Sequence, residues 1–106
     1  MRLTETERLA VLAACREHWP AGTRVFLFGS RTDDSARGGD VDLLVEVPHS
    51  LPARELVERR TRFVARVQAL TEERRIDVLV TEAGSPDHRP VVQQARQHAL
   101  ALAADA

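Results

Sequence analysis

Three acids and a glycine turn stand at the ends of apolar runs. Asp40 and Asp42, one residue apart, open the run Val41–Val47. Asp77 is the second residue of Ile76–Val80, and Gly29-Ser30-Arg31 closes Val25–Phe28. Carboxylate oxygens are hard ligands of the kind Mg²⁺ takes, and Mg²⁺ binds through a few of them plus substrate phosphates. Positions i and i+2 of an extended chain face the same way, so Asp40 and Asp42 can share one ion or bridge two. A third acid on a neighbouring strand completes a pocket, and a two-ion site clamps both oxygens of an in-line displacement at phosphorus. Gly29 lets the backbone approach a phosphate closely. The amides after it and the Ser30 hydroxyl supply donors, aided by a helix dipole if a helix begins there. Arg31 adds a charge-assisted contact.

Each piece has a plainer reading. Gly-Ser after a strand can be a simple turn, Asp-Val-Asp can open an edge strand, and Asp77 can pair with Arg75. Three acids gathered without a metal would repel one another, and their joint occurrence at matching strand ends favours the site.

The elements that must position these residues follow from periodicity. Residues 4–18 read as a helix, because Thr4 with Glu7 three residues later is a capping-box signature. Its stripe is read as Leu9, Leu12 and Ala13, with Leu3 and Val11 near it. Trp19-Pro20-Ala21-Gly22 ends it, and Trp19 is expected to pack at the helix end. Val25–Phe28 suits a strand covered on both sides. Residues 29–39 are a polar loop, and Val41–Val47 alternates as a second strand. From about Leu51 to Arg74 the pattern is helical, with Leu56, Phe63, Val64, Val67 and Leu70 inward. Its other side, Arg54, Glu55, Glu58, Arg59, Arg62, Arg66 and Glu73, reads as a solvated charged face or, more sharply, as an Arg-rich edge that touches nucleotide or partner. Ile76–Thr81 is a third strand. A last helix runs from Pro90 to about Ala103, with Val91, Val92, Ala95, Ala99 and Leu102 inward. His88 and Arg89 carry no motif beyond packing or a partner surface.

The order αβ(loop)βαβα predicts an α/β (α+β) layer fold with a small mixed three-stranded sheet. A helix joins the second and third strands, so they should be parallel through a right-handed crossover. Asp42 and Asp77 then come to the same sheet edge, and an antiparallel first strand delivers Gly29-Ser30 there too.

Composition narrows the chemistry. The 106 residues suit one domain, 1–106. Fifteen basic residues against 16 acidic ones create no field that selects nucleic acid or membrane. Every basic residue is arginine, which removes Schiff-base chemistry and a phosphate-loop lysine. Cys15 is expected to be a small core residue. His18, His49, His88 and His98 lack metal-ligand spacing. No signal peptide or long apolar run is present, and a cytoplasmic chain is expected.

Gly29-Ser30, nine residues, then Asp40-Val41-Asp42-Leu43, with a later Asp77 in an apolar strand, resembles the nucleotidyltransferases of the DNA polymerase β superfamily. With Phe28-Gly29-Ser30-Arg31 and the short chain, the likeness is greatest to the minimal nucleotidyltransferases (MNT), over roughly residues 4–81. The resemblance implies a polymerase β-like fold in which Asp40 and Asp42 bind two Mg²⁺ ions. Asp77 would hold the catalytic ion and help activate the acceptor hydroxyl. Gly29 and Ser30, with Arg31 beside them, would hold the triphosphate of ATP or another NTP. Minimal members often accompany a small helical HEPN-type ribonuclease toxin, and some act as its antitoxin by transferring AMP to it. The resemblance thus implies a nucleotidyltransferase acting on a partner's hydroxyl; a homo- or hetero-oligomer is left open. The alternative is an antitoxin of the same fold that neutralises its partner by contact. Two departures stand out: Thr32-Asp33-Asp34 replaces the Ala-Arg-Gly of many minimal members, and Gly39 stands where serine is common.

Overall fold

The computed structural model describes residues 3–28, 40–71 and 75–102, without the side chains of Asp40 and His98. Its elements are α1 (Glu5–His18), β1 (Arg24–Leu27), β2 (Asp40–Val47), α2 (Ala53–Leu70), β3 (Arg75–Glu82), α3 (Pro90–His98) and β4 (Leu100–Ala101).

The capping box forms as read. Thr4 Oγ1 accepts from the Glu7 amide and Glu7 Oε1 accepts from the Thr4 amide, each at 3.0 Å. Such a cap is worth about 1 kcal/mol. The buried stripe of α1 is Val11, Ala14 and Cys15, while Leu9 is 51% exposed and Ala13 is also exposed. This corrects the stripe read from sequence. Residues 9–15 are apolar nearly all round, so periodicity leaves the inward face open and packing against α2 and the sheet chooses it. Trp19 ends α1 and packs edge-on against Phe63 of α2, with ring centroids 5.9 Å apart. Gly22, at φ +90, turns the chain into β1; a side chain is strained in that conformation.

β2 is central. It runs antiparallel to β1 and parallel to β3, in the order β3-β2-β1-β4. Val41, Leu43, Val45 and Val47 face α1 and α2 with Val25, Leu27, Ile76 and Val78, and together with Phe63 and Val67 they build the main core. α2 is amphipathic as expected, with Pro52 at its N-cap position and Leu70 38% exposed.

The sheet has a fourth strand that the sequence pattern does not contain. The last helix stops at His98 instead of about Ala103, and Leu100–Ala101 pairs antiparallel with β1. Continued helix would leave the outer edge of β1 unpaired. It would also withdraw Leu102, which is 1% exposed in the main core and donates its amide to Val25 O at 3.0 Å. Arg8 Nη1 donates to Leu102 O at 3.0 Å, tying α1 to this segment. The inner residues of α3 are Val92 and Ala95, with Val91 47% exposed.

The outer edge of β3 is covered by guanidinium groups. Arg60 of α2 donates to Val78 O at 3.1 Å and Arg89 to Val80 O at 2.7 Å. Alternate residues of a strand point their carbonyls the same way, so both groups lie along one edge. Filling them with side chains blunts the pairing capacity of an edge strand.

Candidate active site

The register between β2 and β3 builds the centre of the site. Asp42 lies directly opposite Asp77, and Asp40 opposite Arg75. In-register residues of parallel strands share a face, and neighbouring strands lie ~4.8 Å apart. Asp42 and Asp77 therefore stand side by side at the entry edge, on the face away from the main core, and position 40 belongs to the same face by alternation. Asp42 is half-buried and Asp77 is exposed.

β1 arrives at the same edge from the opposite direction. Leu27 is opposite Leu43, and the Phe28 amide donates to Asp42 O at 3.0 Å. The chain thus leaves β1 beside the carboxylate row. Gly29, Ser30, Arg31, Thr32, Asp33, Asp34 and Gly39 lie outside the described residues, as does the side chain of Asp40. Among the described residues no group of three His, Cys, Asp or Glu side chains is gathered for a metal. Of the expected carboxylates, that count includes only the Asp42–Asp77 pair.

Farther along the same face, α3 is anchored by polar contacts that no motif announced. Arg96 reaches Glu46 Oε2, Thr81 Oγ1, Glu82 O and Ser85 O, each at 3.3 Å. Asp87 accepts from Thr81 Oγ1 at 2.7 Å and from Arg89 Nε and Nη2 at 3.0 and 2.8 Å. The Arg89 guanidinium, then the Thr81 hydroxyl, hold the Asp87 carboxyl well below the usual range. The only signal for Asp87–Arg89 was an acid and a base two apart in a loop. Glu46 and Arg96 are 50 residues apart and gave none.

On the opposite face, Arg59 Nε donates to Glu55 at 2.7 Å and Arg66 meets Glu17 of α1 at 3.3 Å. These pairs agree with the solvated charged helix face. Cys15 is 7% exposed, and burial pushes its thiol up to about 11. It is the core residue expected, with no nucleophilic character.

A parallel strand pair joined by a helix, with an antiparallel strand ending beside its acids, is the polymerase β-like nucleotidyltransferase fold. The family model of the nucleotidyltransferase domain matches residues 10–99, and the chain belongs to that family. Its form is consistent with the minimal, MNT type. Among solved structures it is similar to a chain from a crystal structure of a toxin–antitoxin with AMP-PNP. That likeness has a TM-score of 0.65 at 17% identity, over 92% of this chain and 73% of that one. No curated protein matches. Among the described residues no helix is long and apolar enough to cross a membrane.

Proposed function

We propose that the chain is a Mg²⁺-dependent nucleotidyltransferase that moves a nucleoside monophosphate, AMP from ATP, onto a hydroxyl of a protein partner. The observation that carries this reading is the in-register pair Asp42–Asp77 at the edge where β1 ends. Its donor set is all hard oxygen and suits Mg²⁺. Asp40, Asp42 and Asp77 would hold the ions, which when bound neutralise phosphate charge and ease ionisation of the acceptor hydroxyl.

Gly29, Ser30 and Arg31 would grip the triphosphate by amide, hydroxyl and guanidinium contacts, aligning the α-phosphorus over the carboxylate row. Asp77, the more exposed acid, takes the proton of the acceptor hydroxyl. The acceptor oxygen forms its bond to the α-phosphorus as the bond to pyrophosphate breaks. Holding the reactants in line supplies much of the acceleration.

The partner in this reading is a small HEPN-type toxin, with the chain as its cytoplasmic antitoxin. The structural likeness to a chain of a toxin–antitoxin supports a toxin as the partner. The whole chain is read as one nucleotidyltransferase domain that takes its acceptor from a second chain.

The test is transfer of label from α-labelled ATP to the co-expressed partner, with wild type beside Asp40→Asn/Asp42→Asn. The expected result is label on the partner and protection by wild type alone. Equal protection by the double variant would instead establish neutralisation by contact.

A further inference from the structure

A cavity of about 260 Å³ lies on the same sheet face as Asp42 and Asp77, lined by Arg24, Phe26, Leu44, Glu46, Arg96 and Ala99. Its floor is the in-register pair Phe26–Leu44, and the next pair along is Arg24–Glu46. Leu44 is two residues beyond Asp42, so the floor begins ~7 Å from the carboxylate row along the strand. That is roughly the reach from the α-phosphorus of a nucleotide across its sugar to the base. The Arg24 guanidinium lies over the Phe26 ring, 5.0 Å from its centroid, making a flat stack of the kind on which planar rings settle.

The cavity also holds one acceptor set in place. The Glu46 side chain is 14% exposed, and its Oε2 accepts from Arg96. Among the described residues no hydrogen bond engages its Oε1. Arg96 is spread over four acceptors on β2, β3 and the turn after β3, so it positions Glu46. A carboxylate oxygen beside a flat apolar floor accepts from a ring-bound amino group and has nothing to offer a carbonyl.

We infer that this cavity is the base-reading subsite of the donor nucleotide and that Glu46 selects a purine bearing an exocyclic amino group. The inference rests on the nucleotidyltransferase reading above and adds to it a specificity residue. A two-ring base stacks on the Arg24–Phe26 pair at the mouth of the cavity, its amino group donates to Glu46 Oε1, and its phosphates run back towards the carboxylates.

The test is calorimetric titration of the full chain, in Mg²⁺, with ATP, GTP, CTP, UTP and inorganic tripolyphosphate. Wild type should bind ATP and GTP roughly ten- to a hundredfold more tightly than UTP, the range of a hydrogen bond to a charged group. Glu46→Ala should remove the advantage of ATP and GTP over UTP that the amino group confers, and Glu46→Gln, which keeps an acceptor oxygen without the charge, should fall between. Tripolyphosphate should bind wild type and both variants alike. If the four nucleotides bind wild type equally, or Glu46→Ala keeps the preference, the subsite is refuted while the donor site stands. If neither tripolyphosphate nor any nucleotide binds the folded chain, the donor-site reading falls and the subsite with it.

Discussion

Asp77→Asn separates a metal site from a structural pair of acids by the sign of its effect. Asp42 and Asp77 face each other across adjacent parallel strands. Two unit charges ~5 Å apart in water repel by ~0.8 kcal/mol. A Debye length of ~8 Å at physiological salt reduces this to about 0.4 kcal/mol, within the usual range for like charges directly opposite in a sheet. Without divalent ions, removing the Asp77 charge should therefore stabilise the chain, raising its melting temperature by about 2–3 °C for a domain of this size. Adding Mg²⁺ should reverse the order. At a hundred times its dissociation constant the ion stabilises wild type by about 2.7 kcal/mol, and a variant short of one ligand gains much less. The assay is thermal unfolding of both proteins in EDTA and across a Mg²⁺ series, and the two curves should cross. If Asp77→Asn melts lower than wild type in EDTA and shifts equally with Mg²⁺, the carboxylate is structural and the reasoning is wrong.

Two further predictions concern the frame around the site. Arg60 and Arg89 occupy the Val78 and Val80 carbonyls on the outer edge of β3. Arg60→Ala/Arg89→Ala should form concentration-dependent dimers or larger species by light scattering while keeping wild-type circular dichroism; a folded variant that scatters as wild type does would refute the edge-covering role. Asp87 is ionised well below its ordinary value of 3.8 in the folded chain, so its contribution is complete above that value and is lost as pH falls below it. Asp87→Asn should accordingly be less stable than wild type at pH 6, with the gap closing towards pH 2 in denaturant titrations; a gap independent of pH would rule out the ion pair with Arg89 as its source.

Much of this protein is written locally. The Thr4–Glu7 box, the alternation of Val41–Val47 and the apolar stripe of α2 each depend on neighbours within a turn or a strand, and each formed as read apart from Leu70 at the end of α2. That Asp42 and Asp77 come to one sheet edge was legible as well, because a helix between two strands nearly dictates parallel pairing. The acid spacing could then be projected onto one edge. What was illegible depended on contacts between distant segments. The buried face of α1 was decided by α2, since its apolar residues encircle the helix. The end of α3 was decided by the unpaired edge of β1 and by the place in the core that Leu102 fills, neither of which helical periodicity senses. Glu46 looked like an outward residue of an alternating strand until α3 was laid across that face, with Arg96 on its carboxylate. The sequence alone marked the candidates for phosphate chemistry and the strands that carry Asp42 and Asp77. Only the tertiary structure decided what surrounds them, because burial and hydrogen-bond partners on the second face come from segments that meet only after the sheet has formed.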